Sequence, residues 1–206
     1  MNPFSDITSA SPDKTHNQQA RRERRSITPS ARINRPQFSM THPFAPVFDE
    51  YSHLLVLGSF PSPRSRENGF YYGHPQNRFW PVLAAVFAEE LPRTNEEKRA
   101  FVLKHGIALW DVLASCTITG AADSSIREEK ANDLTPLIKA GIKRIYVTGK
   151  TAHLLYNKHC LSLTGIEAVY LPSTSPANRA HWPLEKLIKA YTILAESTPP
   201  TLASRY

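Results

Sequence analysis

Apolar positions along this chain switch repeatedly between two spacings. Residues 53–57 (HLLVL) form a short unbroken apolar run closed by Gly58, the pattern of a strand buried on both faces. Residues 77–88 instead set Phe79, Trp80, Leu83, Val86 and Phe87 at helical spacing, and residues 96–104 predict a second helix. Residues 107–113 (IALWDVL) return to a strand-like run. Over 132–140, Leu134, Leu137 and Ile138 share one helical face, and Gly141 supplies the stop. Residues 144–148 (RIYVT) predict a strand, and after Gly149 a helix runs from 150 to 158. A strand at 167–171 (EAVYL) and an amphipathic helix at 183–194 end the pattern. This alternation predicts an α/β protein, a three-layer α/β/α sandwich on a short, mostly parallel sheet. Ligands in such sheets bind beyond the carboxyl ends of the strands. The loops after Leu57, Leu113, Thr148 and Leu171 are therefore where a site is expected.

Composition sharpens the boundaries. The chain has 206 residues, enough for one domain with a sizeable core. Residues 1–45 are rich in Ser, Pro, Asn, Gln and Arg without an apolar period, and read as a disordered basic arm. Residues 46–196 read as the domain and 197–206 as a flexible tail. Met1 and Met40 are the two methionines, so a start at Met40 is an alternative reading of the arm. The net charge is +7, and Lys14, Arg21, Arg22, Arg24, Arg25, Arg32 and Arg35 against Asp6, Asp13 and Glu23 give the arm +4 of it. A basic balance suits a polyanion. The arginines at 21–25 serve equally well as a DNA grip or as a solvated charge run. With 41% hydrophobic and 21% charged residues the chain reads as soluble. It lacks an apolar run near the roughly 20 residues of a membrane helix, and its first residues lack a secretory apolar stretch. Cys116 and Cys160 are too few and too far apart for a disulfide framework or a four-cysteine metal site. A reducing cytosol is the simplest compartment.

Three loops carry candidate chemistry. Gly58-Ser59-Phe60-Pro61-Ser62-Pro63-Arg64-Ser65-Arg66 joins a turn-forming glycine to hydroxyls and arginines, groups that contact DNA phosphates. Gly69-Phe70-Tyr71-Tyr72-Gly73-His74-Pro75-Gln76-Asn77-Arg78-Phe79-Trp80 packs aromatic rings, amides and turn formers together. A ring can stack on an extruded base, and an amide can read its edge or orient water. In Leu171-Pro172-Ser173-Thr174-Ser175-Pro176-Ala177-Asn178-Arg179, small residues allow close approach to a DNA backbone. Asp111 and Asp123 are the carboxylates available as an alternative base, although Asp111 fits a structural role inside its apolar run as well. The segment Asp123-Ser124-Ser125-Ile126 reads either as pocket lining or as a surface loop. Gly149-Lys150-Thr151 follows a strand, but Arg144 stands where a P-loop needs glycine. The chain also lacks the Gly-x-Ser-x-Gly elbow of an esterase and the His-Glu-x-x-His pattern of a zinc enzyme.

These motifs, together with Trp110-Asp111-Val112-Leu113, resemble the uracil-DNA glycosylase superfamily over residues 41–194. Residues 70–80 are similar to the mismatch-specific uracil glycosylases, and the fuller set is similar to the hypoxanthine (deoxyinosine) glycosylase branch. The resemblance implies a monomeric, monofunctional base-excision enzyme. It would flip a deaminated base out of DNA and hydrolyse its glycosidic bond with no metal or other cofactor. It implies that Asn77 is the principal catalytic residue, holding the attacking water or hydrogen-bonding the departing purine. Tyr72 becomes a wall of the base pocket, with Gly58, Ser59, Phe60, His74, Asp111 and Ser125 around it. Ser62, Ser65, Arg66, Ser173, Ser175, Asn178 and Arg179 become DNA contacts. Two positions depart from the family pattern. Phe60 stands where many members carry a water-activating Asp or an Asn, and Ser173 where many carry a His or an Asn. These departures place more weight on Asn77. They also motivate a second class of reading, a DNA-binding module that keeps the pocket without turnover.

Overall fold

The computed structural model describes residues 38–119 and 125–198. The predicted arm up to residue 37, the tail from 199, and Asp123 and Ser124 lie outside the described residues. In chain order the elements are β1 (Phe38–Thr41), β2 (Leu54–Gly58), α1 (Pro63–Glu67), α2 (Phe79–Phe87), α3 (Asn95–Lys104), β3 (Ile107–Asp111), β4 (Leu113–Ile118) and β5 (Arg127–Ala131). They continue with α4 (Thr135–Lys139), β6 (Arg144–Thr148), α5 (Lys150–His159), α6 (Leu161–Thr164), β7 (Ala168–Leu171), a 3₁₀ turn (Pro176–Asn178) and α7 (Leu184–Glu196).

The predicted parallel sheet is present, with order β3-β2-β6-β7 and all neighbours parallel. All five residues of β2 are buried, which is why its sequence is a continuous apolar run. The pleat sorts them onto two faces. Leu54 and Val56 join Ile107, Leu109 and Tyr146 under α2, α3 and α7, with Phe79, Leu83, Phe101, Leu187 and Tyr191. Leu55 and Leu57 join Ala108, Ile145 and Val147 under α4 and α5, with Leu137, Ala152, Leu155 and Tyr156. The two clusters make the α/β/α layers. Burying a leucine or phenylalanine side chain here contributes about 1.5–3 kcal/mol.

The second cluster also contains Cys116 and Ile118 of β4. They belong to a second sheet that the sequence reading did not foresee, antiparallel with order β1-β4-β5. Phe38 pairs with Ile118 and Thr41 with Ser115, so residues 38–45 belong to the fold and the predicted arm was drawn too long. Helix α4 is shorter than the expected 132–140. The Asn132 amide side chain donates to Asp111 O (2.9 Å), and Asp133 Oδ1 caps Thr135 N (2.9 Å), so these residues hold the turn before the helix. Helix α3 begins one residue early in a reciprocal cap between Thr94 and Glu97. Among the described residues, no helix is long and apolar enough to cross a membrane.

From β2 the chain moves outward to β3, and from β6 it moves outward to β7. The strand order therefore reverses between β2 and β6, which opens a crevice at their carboxyl ends.

Candidate active site

A cleft of about 630 Å³ opens at that crevice, and all three predicted loops line it. Gly58, Ser59, Phe60 and Ser62 enter from the end of β2. Tyr72, His74 and Asn77 come from the aromatic segment, and Ser173, Ser175 and Asn178 from the loop after β7. Asp111 at the end of β3 forms part of its lining.

The glycine at position 58 is required by its neighbour. A Cβ there would sit 2.2 Å from Asp111 Oδ1, inside the carboxylate. Beyond it, Ser62 accepts from Ser65 N (3.2 Å) and so caps α1. The Ser65 hydroxyl is 3.0 Å from that of Ser62 and accepts from Gly73 N (3.1 Å). Arg66 donates to Pro61 O (2.7 Å), with its guanidinium 5.9 Å from the Phe60 ring centroid. Ser65 and Arg66, expected as DNA contacts, make these bonds within the loop, and Ser65 also lines the cleft. A hydroxyl that caps a turn and one that faces a ligand look alike in sequence.

Tyr72 adopts φ 52, a left-handed backbone uncommon for a bulky residue. Its ring stacks on Phe79 with centroids 3.7 Å apart and planes 11° apart. Its hydroxyl lies 3.1 Å from Thr148 Oγ1, which donates to Leu57 O (3.3 Å), so Tyr72 is the donor of the pair. Burial first, then the Asp111 carboxylate, push the Tyr72 phenol well up, and it stays neutral. His74 Nδ1 accepts from Gln76 N (3.0 Å), which puts the proton of the neutral ring on Nε2.

Asn77 is held from two sides. Its Oδ1 accepts from Phe79 N (3.0 Å) and from Thr174 Oγ1 (2.8 Å). A backbone N–H donates and never accepts, so the carbonyl end of the amide must face Phe79. The group left for the cleft is the Nδ2 donor pair.

The loop after β7 is clamped from below. Arg78 is buried, its backbone N–H donates to Thr174 O (3.2 Å), and its guanidinium donates to Ser175 O (3.2 Å) and to Trp182 O. Burial lowers its pKa, and the charge of Arg179 adds to that. Asn178 donates to Ser173 O (2.8 Å), and Tyr191 to Pro172 O (2.8 Å). Gly149 (φ 90) lets Ser173 approach, since a Cβ there would meet that of Ser173 at 3.1 Å. Ala177 and Arg179 are exposed at the tip.

Ser125, expected in the base pocket, is absent from the cleft lining and instead bridges Thr119 N and O at the mouth of the β4–β5 connection (3.0 Å each). Several residues had been missed. Thr148, Lys150, Thr174, His181 and Trp182 line the cleft. Thr174 lies inside the 171–179 loop motif, and Lys150 follows the strand that ends at Thr148, one of the places where a site is expected. His42 was missed outright. Its Nε2 lies 2.8 Å from Asp111 Oδ2, and the two side chains are 3% and 7% exposed. It had been assigned to the arm, and its partner is 69 residues away. Among the described residues, no group of three His, Cys, Asp or Glu side chains could hold a metal ion.

The geometry agrees with comparisons to known proteins. The family profile of the Uracil DNA glycosylase superfamily matches residues 45–195. The chain is 37% identical to a hypoxanthine DNA glycosylase of Methanosarcina acetivorans over 139 residues, 66% of this chain and 87% of that one. It is 35% identical to a hypoxanthine DNA glycosylase of Methanosarcina barkeri over the same shares. It also superposes on the solution NMR structure of a candidate uracil DNA glycosylase from Methanosarcina acetivorans with a TM-score of 0.63 and 31% identity, covering 74% of this chain and 96% of that one. The profile spans every loop that lines the cleft, and the chain belongs to the uracil DNA glycosylase superfamily.

Proposed function

We propose that this DNA glycosylase removes hypoxanthine from deoxyinosine in DNA, leaving free base and an abasic site. The observation that carries this reading is the fixed amide of Asn77, which offers Nδ2 to the cleft. As the C1′–N9 bond lengthens, the sugar gains oxocarbenium character and the base takes the bonding electrons as negative charge. Hydrogen bonds placed where that charge develops lower the barrier. Asn77 Nδ2 and His74 Nε2 are donors for the base acceptors O6, N7 and N3. Tyr72, backed by Phe79, provides a rigid ring beside the extruded base, and water attacks C1′ to complete the hydrolysis. An amide is a poor proton acceptor, so Asn77 acts on the leaving base rather than by deprotonating water.

Ser62, Ser173, Ser175 and Asn178 lie along the cleft, and exposed Arg179 beside it, as contacts for the DNA backbone on either side of the flipped nucleotide. The enzyme acts as a monomer in a reducing cytosol. The names of the Methanosarcina relatives support hypoxanthine as the preferred base.

The test is release of free base, followed by alkali-dependent strand breakage, from duplexes holding one deoxyinosine, deoxyuridine or deoxyxanthosine. Deoxyinosine should be cut fastest, with no break before alkali. Faster release of uracil would move the assignment to a mismatch-specific uracil glycosylase. No release from any duplex, with DNA binding retained, would leave the non-catalytic reading that Phe60 and Ser173 motivate.

A further inference from the structure

We propose that Arg78 is the concealed half of an anion site. With Arg179 it takes one phosphate of the DNA backbone beside the flipped nucleotide, Arg179 from the surface and Arg78 from beneath the loop after β7.

Arg78 is a buried cation without an anion. It is 8% exposed. Its guanidinium donates to Ser175 O and Trp182 O, and its backbone N–H to Thr174 O. All three acceptors are neutral carbonyls. Among the described residues, no carboxylate pairs with Arg78 or Arg179, and Arg78 Nε has no hydrogen-bond partner. The Tyr191 phenol is near but neutral, since burial holds its pKa well up and its hydroxyl donates to Pro172 O. The charge that acts most on Arg78 is that of Arg179, and it repels. An unpaired charge costs far more to bury than a neutral donor. A glutamine or tryptophan N–H could hold a carbonyl at lower cost, so clamping alone does not account for a guanidinium here.

The place supplies the missing anion. Thr174, Ser175 and Trp182, the residues that Arg78 holds, line the cleft, and Arg179 is exposed beside it. Both carbonyls gripped by the guanidinium precede a proline, Pro176 and Pro183, so Arg78 closes the two ends of the segment that carries Arg179. A phosphate set against Arg179 and the Ser175 hydroxyl would have the Arg78 charge behind the Ser175 peptide. Salt screens such a partly buried attraction much less than a surface pair. The phosphate would also turn two repelling cations into a bridged pair. Asn77, the residue before Arg78, bonds to Thr174 of the same loop. The grip on the backbone and the donor to the departing base would therefore come from adjacent residues.

This inference rests on the glycosylase reading above, and its test does not use base release. The full chain is bound to duplexes carrying 2′-fluoro-2′-deoxyinosine, whose fluorine disfavours the oxocarbenium and keeps the base attached. Each phosphate near the lesion is replaced in turn by a neutral methylphosphonate. In wild type, one replacement should weaken binding by about tenfold or more. Arg78→Met keeps the apolar stem and loses the charge. It should bind the all-phosphate duplex about tenfold more weakly, and that same replacement should then cost less than about threefold. Arg78→Lys keeps the charge but not the planar fork that spans two carbonyls, and should retain most of the wild-type penalty. Arg179→Ala should lower the penalty at that phosphate and at no other. An unchanged penalty in Arg78→Met overturns the proposal. So does a penalty lost in Arg78→Lys, which would make Arg78 a clamp alone, and this comparison decides the matter if Arg78→Met does not fold. Wild type that shows the expected profile but releases no hypoxanthine from cleavable deoxyinosine would sink the glycosylase reading and leave the anion site standing.

Discussion

Thr174 adds a second hold on the carbonyl end of the Asn77 amide, whose orientation Phe79 N sets. It is 1% exposed and gives its hydroxyl hydrogen to Asn77 Oδ1 at 2.8 Å. Thr174→Val keeps the shape and removes that donor, leaving the amide held by Phe79 N alone. A hydrogen bond of this kind contributes about 1 kcal/mol. Single-turnover base release should therefore fall about fivefold with the fold intact, and an unchanged rate would mean that the Phe79 contact suffices. At this scale the sequence was legible where chemistry is dense and local. Tyr72, His74 and Asn77 lie within six residues of each other, and the structure brings all three to one cleft. It was illegible where a group's use depends on a distant partner. His42 is that case, since it gains its meaning from Asp111 across 69 residues, whereas the bonds of Ser65, Arg66 and Ser125 are local, and a side chain that holds a turn looks in sequence like one that faces a ligand.

Strands buried on both faces announce themselves, and β2 and β6 were found with nearly their observed ends. The antiparallel sheet did not. Strand β5 reads Arg-Glu-Glu-Lys-Ala, with no apolar face to give an alternating pattern. Its pairing to β4 also shifts register twice, between Leu113 and Ser115 and between Ser115 and Thr117. One tie between this sheet and the helical layer is ionic. Glu129 Oε1 lies 2.5 Å from Lys158 Nζ and 3.6 Å from His159 Nε2 on α5. The Lys158 hydrogen bond foremost pulls the Glu129 carboxyl from the usual 4.5 down to about 2. A carboxyl depressed in the folded state stabilises it above the unfolded value and loses that contribution as the pH falls through the folded one. The loss belongs to the window from 4.5 down to about 2. Glu129→Gln should flatten the fall of Tm across that window and change little at neutral pH relative to wild type's slope there. An unaltered acid limb would show that the pair adds nothing, as many surface ion pairs do.

For the molecule as a whole, the sheet order predicts where the chemistry sits. The crevice between β2 and β6 collects loops spread from residue 58 to residue 182, so one cleft draws on most of the described chain. The strand–helix alternation exposed this architecture in the sequence, while the depth of the cleft and the orientation of its amides depended on packing. Membership of the uracil DNA glycosylase superfamily fits a net charge of +7 and a polyanionic substrate. The central claim is that Asn77 works as a donor to the departing base. The most direct test is the single-turnover rate of hypoxanthine release by Asn77→Asp, which matches the amide in shape, keeps an acceptor for Phe79 N and Thr174, and loses the N–H donors. The account predicts a fall of at least about 10²-fold, the cost of removing one donor from a developing anion, with an unchanged melting curve. A rate equal to or above that of wild type would contradict it and would assign position 77 to activating water.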